Sequence, residues 1–116
     1  MTAIAILPAI EQGIDAKAFA QRLDMSIGEL AELVGVSRNT LAATPLGKRG
    51  RDAIAPLYTM YEYVVSVAGN EQRALNWFKY APIIPLGPKP AIAHVREGNI
   101  EDVVEFLEAS AEGAYS

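Results

Sequence analysis

Residues that start and stop α-helices recur at short intervals along this chain, and they constrain its fold more than any other feature. Ser26 is followed three residues later by Glu29, which is the capping-box pattern of a helix N-terminus. Gly35 suits the left-handed turn that ends a helix, and Pro45 stops another. Between such signals the apolar residues recur three and four residues apart, as on one face of a helix. The chain is therefore predicted to be all-α.

The helices expected from these signals are separated by two irregular segments. They lie at residues 15–23, after Ser26, at 38–44, at 53–68, after Asn70, at 91–96 and after Asn99. Residues 46–52 are glycine-rich and basic, and we expect them to form a connector. Residues 81–90 contain four prolines, so no helix is expected to pass through them and an ordered loop is predicted.

Residues 23–44 have the length and the helix start and stop signals of a helix-turn-helix, with a tight turn at Gly35 and a short capped helix after it. Ala31 is small enough for the two helices to cross, and Val36 is expected to be buried in the turn. The first residues of the second helix would reach base edges, and nearby cations would contact phosphate. The candidate DNA-binding residues are Ser37, Arg38, Asn39, Thr40, Lys48, Arg49 and Arg51. The alternative is a three-helix core that packs in this way without binding DNA.

The charge distribution is polarised although the net charge is only −4. The charged residues from 36 to 51 are all basic, and those from 97 to 116 are all acidic. This pattern favours one part that faces phosphate and another that faces a basic partner, and the alternative is two solvated faces of opposite charge. Because so few cations lie near the candidate helix, a homodimer would be needed for useful DNA affinity.

Several classes of protein are disfavoured by the sequence. The chain has no cysteine, which excludes disulfides and thiolate chemistry and fits a reducing cytoplasm. His94 is the single histidine and has no sequence-adjacent carboxylate pair, so a packed or surface histidine is expected rather than a catalytic base. The apolar run at residues 2–10 is far shorter than the roughly 20 residues of a membrane span. We expect a cytoplasmic protein that is not an enzyme and needs no metal or cofactor.

The second half of the chain carries a series of motifs in a fixed order. They are Ala74-Leu75-Asn76-Trp77-Phe78, Ala81-Pro82, Leu86-Gly87-Pro88-Lys89-Pro90, Glu97-Gly98, the apolar positions of residues 103–107, and a closing Glu112-Gly113-Ala114-Tyr115. This series resembles the toxin-binding domain of the Xre/MbcA/ParS-like antitoxin family, which also carries a helix-turn-helix upstream. The resemblance thus covers nearly the whole chain.

The resemblance implies an N-terminal Xre-like helix-turn-helix packed with a C-terminal helical toxin-binding module. The expected parts are an N-terminal arm at 1–14, a helix-turn-helix at 15–52, a connecting or dimerisation helix at 53–69 and a toxin-binding domain at 70–116. The implied partners are operator DNA and a RES-domain toxin that consumes NAD, in a higher hetero-oligomer. The antitoxin's C-terminal part would occlude the toxin's NAD cleft.

An acidic C-terminus suits that role, because a cleft that holds a dinucleotide pyrophosphate presents cationic groups. The candidate toxin-binding residues are Trp77, Leu86, Lys89, Glu108, Glu112, Gly113, Tyr115 and Ser116. The last helix is expected to anchor the module through Ile100, Val103, Val104 and Leu107. Two alternatives remain. The tail could be an ordinary frayed terminus, and the whole chain could be a free-standing transcription regulator whose second half dimerises or senses a small molecule.

Overall fold

The computed structural model describes residues 14–113, and this part of the chain is helical without a β-strand. Its helices are α1 (Ala16–Arg22), α2 (Ile27–Val34), α3 (Arg38–Ala42), α4 (Lys48–Ala68), α5 (Glu71–Tyr80), α6 (Ala91–Arg96) and α7 (Ile100–Gly113). A single 3-10 turn at Ile84–Leu86 lies between α5 and α6. None of these helices is long and apolar enough to cross a bilayer. The all-α prediction is confirmed for the described residues.

The predicted helix caps form as the sequence indicates. The Asp15 carboxylate accepts hydrogen bonds from the backbone of the first turn of α1, each at 3.1 Å. In the Ser26 capping box, the Ser26 hydroxyl accepts from the Glu29 N–H at 3.0 Å and the Glu29 carboxylate accepts from the Ser26 N–H at 2.8 Å. Asn70 caps α5 by accepting from the Arg73 N–H at 2.8 Å. Each cap satisfies backbone donors that have no partner within their own helix.

The prediction of a connector at residues 46–52 is wrong, because α4 already begins at Lys48 with Gly47 as its N-cap. The glycines of this segment mislead, and for Gly50 the reason is tertiary. Gly50 is buried, and a Cβ at this position would lie 2.7 Å from Leu46 Cδ1 and 3.1 Å from the Thr40 carbonyl oxygen. The glycine therefore permits the first turn of α4 to approach α3 closely.

Helix α4 runs through the centre of the protein and packs against α2, α3, α5 and α7. Its Tyr61 is fully buried and forms edge-to-face contacts with Phe19 of α1 and Phe78 of α5, with ring centroids 6.1 and 6.0 Å apart. Such edge-to-face pairs are favourable beyond the apolar area they bury. The aromatic core thus joins α1 to α5 through α4.

The proline-rich loop at residues 81–90 is ordered and closed on itself. The Ile83 N–H donates to the Lys89 carbonyl at 2.9 Å, and Pro82 and Pro90 form an isolated antiparallel bridge. Ile83 is buried and fastens the loop to the core. The loop contains the 3-10 turn, which the sequence did not predict; a short turn tolerates Pro85 near its start because the missing N–H would have no partner there.

The apolar stripe of the last helix is buried to different depths along its length. Of the predicted stripe, Val103 is fully buried, whereas Ile100, Val104 and Leu107 are half-buried. The helix also continues to Gly113, so Glu112 belongs to it rather than to a tail. All four stripe residues therefore pack in or against the core as expected, but only Val103 is fully buried and the apolar face of α7 is only partly covered.

Candidate nucleic-acid and partner interfaces

Helices α2 and α3 are joined by a tight turn. Gly35 has a φ of +81°, in the left-handed region that favours glycine, and the Val36 N–H donates to the Ala31 carbonyl at 3.0 Å. The Ser37 hydroxyl caps α3 by accepting from the Thr40 N–H at 3.2 Å. Ala31 is buried as expected, but Val36 is only half-buried. The turn and cap hold the N-terminus of α3 at the surface.

The side chains at the start of α3 divide into bonded and available groups. The Ser37 and Thr40 hydroxyls bond to each other at 2.8 Å. Arg38 and Asn39 are exposed and form no hydrogen bond or ion pair with any residue from 14 to 113. The stem of Arg38 runs beside Gly28 of α2, where an added Cβ would lie 3.6 Å from Arg38 Cδ. Arg38 and Asn39 are therefore the residues that α3 offers to an external ligand.

The predicted cations of residues 48–51 occupy the first turn of α4. Lys48 Nζ binds Asp52 Oδ2 at 2.6 Å, and Arg51 Nη1 donates to the Leu46 carbonyl at 2.8 Å. Arg49 is exposed and has no such partner in the described part of the chain. This first turn has no acidic residue and no side-chain cap, so its N–H groups and positive dipole end lie beside the cations. That combination suits an anion such as phosphate.

An ion-pair cluster that the sequence analysis did not identify joins α1, α4 and α5. Arg22 binds Glu62 at 2.8 Å and Glu71 at 3.1 Å, and its guanidinium lies 5.4 Å from the centre of the Tyr61 ring. The hydrogen bond from Arg22 lowers the pKa of Glu62. Burial raises the pKa of Tyr61 to about 12. Arg22 thus pairs with one carboxylate from each of two other helices, so the cluster stabilises the packing of three helices.

His94 lies in the core, with 4% of its surface exposed, and its Nε2 has no hydrogen-bond partner among the described residues. Within residues 14–113 no group of three or more histidine, cysteine or acidic side chains is arranged to hold a metal ion. The histidine is thus the packed residue that the sequence offered as one alternative.

The candidate toxin-binding residues lie on different elements. Trp77 is half-buried and lines a groove of about 340 Å³ with Tyr63, Val67 and Leu107, between α4, α5 and the C-terminal half of α7. Lys89 lies on the proline-rich loop and binds both oxygens of Glu97, at 2.8 and 2.9 Å. The structure thus brings Trp77 and the end of α7 together, whereas Lys89 is engaged elsewhere.

The remaining candidates lie on the loop and at the C-terminus. Leu86 is half-buried in the 3-10 turn, and Glu108 is half-buried on α7. Glu112 and Gly113 form the last turn of α7. Tyr115 and Ser116 lie outside the described residues, as does most of the predicted N-terminal arm.

The chain was compared with protein-family models, with curated proteins and with solved structures, and none of them matches it. Its function is therefore inferred from its own residues and their geometry.

Proposed function

We propose that this chain is an antitoxin that binds operator DNA through α2 and α3 and neutralises a RES-domain, NAD-consuming toxin with its C-terminal part. One observation carries the DNA-binding half of this proposal. Arg38 and Asn39 are exposed and have no side-chain partner among residues 14–113, at the start of a capped helix that follows a tight turn. The motifs of residues 74–115 support the toxin-binding half through their resemblance to the Xre/MbcA/ParS-like antitoxins.

For DNA binding, the exposed basic residues of α3 and α4 would have different roles. Arg38 suits the O6 and N7 acceptors of guanine, and Asn39 suits the N6 and N7 edge of adenine. Arg49 and the N-terminal N–H groups of α4 would bind phosphate and fix the orientation of the helix. Lys48 and Arg51 contribute less, since each is already bonded within the protein. The scarcity of cations calls for a dimer that binds two half-sites.

For toxin binding, we propose that the residues following α7 are the inhibitory ones. The described part of α7 runs to Gly113, and the sequence places its acidic residues close before residues 114–116. The Tyr115 ring and the Glu112 carboxylate would enter a cleft that otherwise accepts the ring and phosphates of a dinucleotide. Occlusion of this kind stops NAD consumption without any chemistry by the antitoxin.

Deletion of residues 114–116 tests the toxin-binding half. We expect the variant to keep its helical circular dichroism and its DNA affinity, because α7 remains complete. Its inhibition of a RES-domain toxin encoded beside it should fall about tenfold or more in an NAD-consumption assay. Tyr115→Ala should reproduce most of this loss. Ser116→Ala should have little effect and serves as the matched control.

Two results would contradict the proposal in different ways. Full inhibition by the truncated protein would show that the tail is not the inhibitory surface, and that the Trp77 groove or the proline-rich loop inhibits the toxin instead. Operator binding by a full-length protein that neither binds nor inhibits the toxin would favour the free-standing transcription regulator instead.

A further inference from the structure

Helices α4 and α7 leave an open groove between their N-terminal halves. The groove has a volume of about 670 Å³, and its apolar walls are formed by Ala55 and Pro56 of α4 and by Ile100 and Val104 of α7. Val103, one residue before Val104, is fully buried. The groove is therefore held between helices fixed by the core, which makes its shape a stable feature of the surface.

The walls of this groove contain side chains that the sequence pattern assigns to the core. Ile100 and Val104 are four residues apart and stand on one face of α7, yet both remain half-buried. Ala55 is half-buried and Pro56 is exposed on the opposite wall. An apolar groove between two helices, with a polar rim, is the kind of surface into which an amphipathic helix of a partner docks.

The rim of the groove is acidic. Asp52 lies on one side, where it already binds Lys48, and Glu101 and Glu105 lie on the other. Glu101 and Glu105 are exposed and form no ion pair within residues 14–113. They stand four residues apart on one helix, a spacing at which like charges repel unless a cation lies between them. A second copy docked symmetrically would place carboxylates against carboxylates, so charge favours a cationic occupant over a copy of this chain.

A polar atom at the groove also lacks a partner. Thr59 Oγ1 lies along the α4 wall, is shielded from solvent, and makes no hydrogen bond to any described residue. Buried hydroxyls are nearly always hydrogen-bonded in stable proteins. The oxygen is not accessible as it stands, so a rotation of the Thr59 side chain toward the groove would be needed for a polar group of a bound partner to satisfy it.

We propose that this groove binds an amphipathic helix of a partner protein, with an apolar stripe seated on Ile100 and Val104 and with lysine or arginine side chains paired with Glu101 and Glu105. The surface is distinct from the C-terminal tail. Ile100 and Gly113 are the first and last residues of α7, and the helix rise separates them by about 20 Å. The proposal therefore does not depend on occlusion by the tail.

A designed helical peptide tests this docking surface on the full chain. The probe is a fluorescent 14-residue peptide with leucines at helical spacing and lysines elsewhere, titrated with the protein by fluorescence anisotropy. We expect saturable one-to-one binding that weakens as salt is added. A peptide with the same leucines and with glutamates in place of the lysines should bind about tenfold more weakly or worse.

Variants of the protein locate the peptide. The double variant Glu101→Gln/Glu105→Gln should weaken binding about tenfold, and Val104→Ser should weaken it about fivefold by reducing the apolar wall. The matched control Asp24→Asn/Glu32→Gln removes two charges from outside the groove and should change affinity less than about twofold. Thermal unfolding followed by circular dichroism verifies that each variant is folded.

Several outcomes would overturn the proposal. They are the absence of saturable binding, equal binding of the lysine and glutamate peptides, and equal weakening by the two double variants. A concentration-dependent dimer that is lost in Val104→Ser would instead identify a second copy as the occupant.

Discussion

Gly50 lies so close to another helix that the contact disfavours any side chain at this position. Its missing Cβ is what allows the first turn of α4 to lie against the Thr40 carbonyl of α3. Gly28 of α2 provides a contrast, because an added Cβ there would meet only side-chain atoms of Arg38 and Ser26, at ordinary contact distances of 3.6 Å and above. A methyl group is therefore tolerated at Gly28 and not at Gly50, although the intrinsic helix propensity of glycine is the same at both positions.

Gly50→Ala is expected to lower the free energy of unfolding by about 1–2 kcal/mol. Overpacking against a backbone oxygen outweighs the gain in helix propensity. Gly28→Ala should leave the free energy of unfolding unchanged or raise it by up to about 1 kcal/mol, because only the propensity gain remains. Urea unfolding of both variants measures the difference. A stabilised Gly50→Ala protein would show that the α3–α4 contact is looser than the structure places it.

Arg38 is the residue on which sequence-specific DNA binding is expected to depend. Arg38→Ala should weaken binding to the operator by about 1–3 kcal/mol and reduce preference at one base position. Arg49→Ala should weaken binding to all sequences and lower the salt slope by about one. Arg73→Ala, an exposed arginine on α5 with no partner among the described residues, is the matched control. Equal DNA affinity in the three variants would make α2 and α3 a structural unit only.

At the scale of the element, α7 shows how a helix can have a regular apolar stripe and bury only part of it. Its spacing predicts one continuous core face, but that face is fully buried at Val103 and borders grooves on either side along the helix. The apolar residues at the grooves are therefore available to partners. Stability and binding are divided between neighbouring residues of the same helix.

The pair Val103 and Val104 tests this division. Val103→Ala removes two methyl groups from a fully buried site and should cost roughly 1.5–3 kcal/mol of unfolding free energy. Val104→Ala removes the same atoms from a half-buried site and should cost less than about half as much. Thermal or urea unfolding compares the two directly. Equal losses would indicate that the groove at Val104 is closed in solution.

At the scale of the whole molecule, the Arg22 cluster connects parts of the chain that are far apart in sequence. Arg22 lies 40 residues from Glu62 and 49 from Glu71, and it joins the N-terminal helix to α4 and α5. Helices α2 and α6 also pack together. The N-terminal and C-terminal halves of the described chain are thus in direct contact.

Arg22→Met should destabilise the protein by about 1–3 kcal/mol at neutral pH, since two carboxylates lose a charged hydrogen-bond donor. The folded state lowers the pKa of Glu62, so its contribution is present above the unfolded pKa of about 4.3 and is lost as the pH falls through the folded value. The wild-type protein should therefore lose stability below about pH 4, and the variant should lose less over that range. Lys89→Met, which removes the exposed pair with Glu97, is the control and should have a smaller effect at neutral pH. Parallel pH profiles in wild type and Arg22→Met would contradict this role.

The candidate DNA interface was predictable in position but not in detail. The turn at Gly35 and the cap at Ser37 expose the start of α3, and both can be recognised from the sequence. The bonds that occupy Thr40, Lys48 and Arg51 depend on how the side chains fold against their neighbours. Of the seven predicted contacts, Arg38, Asn39 and Arg49 remain exposed and without side-chain partners among the described residues.

The sequence by itself determined the caps, the turns and the all-helical class, because each of these depends on residues within about four positions of one another. Only the tertiary structure decided where α4 begins, which part of α7 is buried and what Arg22 binds. Each of these depends on a contact between distant segments, such as Gly50 with Thr40 or Arg22 with Glu71. Local patterns identify an apolar face, but a face becomes core or docking surface according to which helix lies against it.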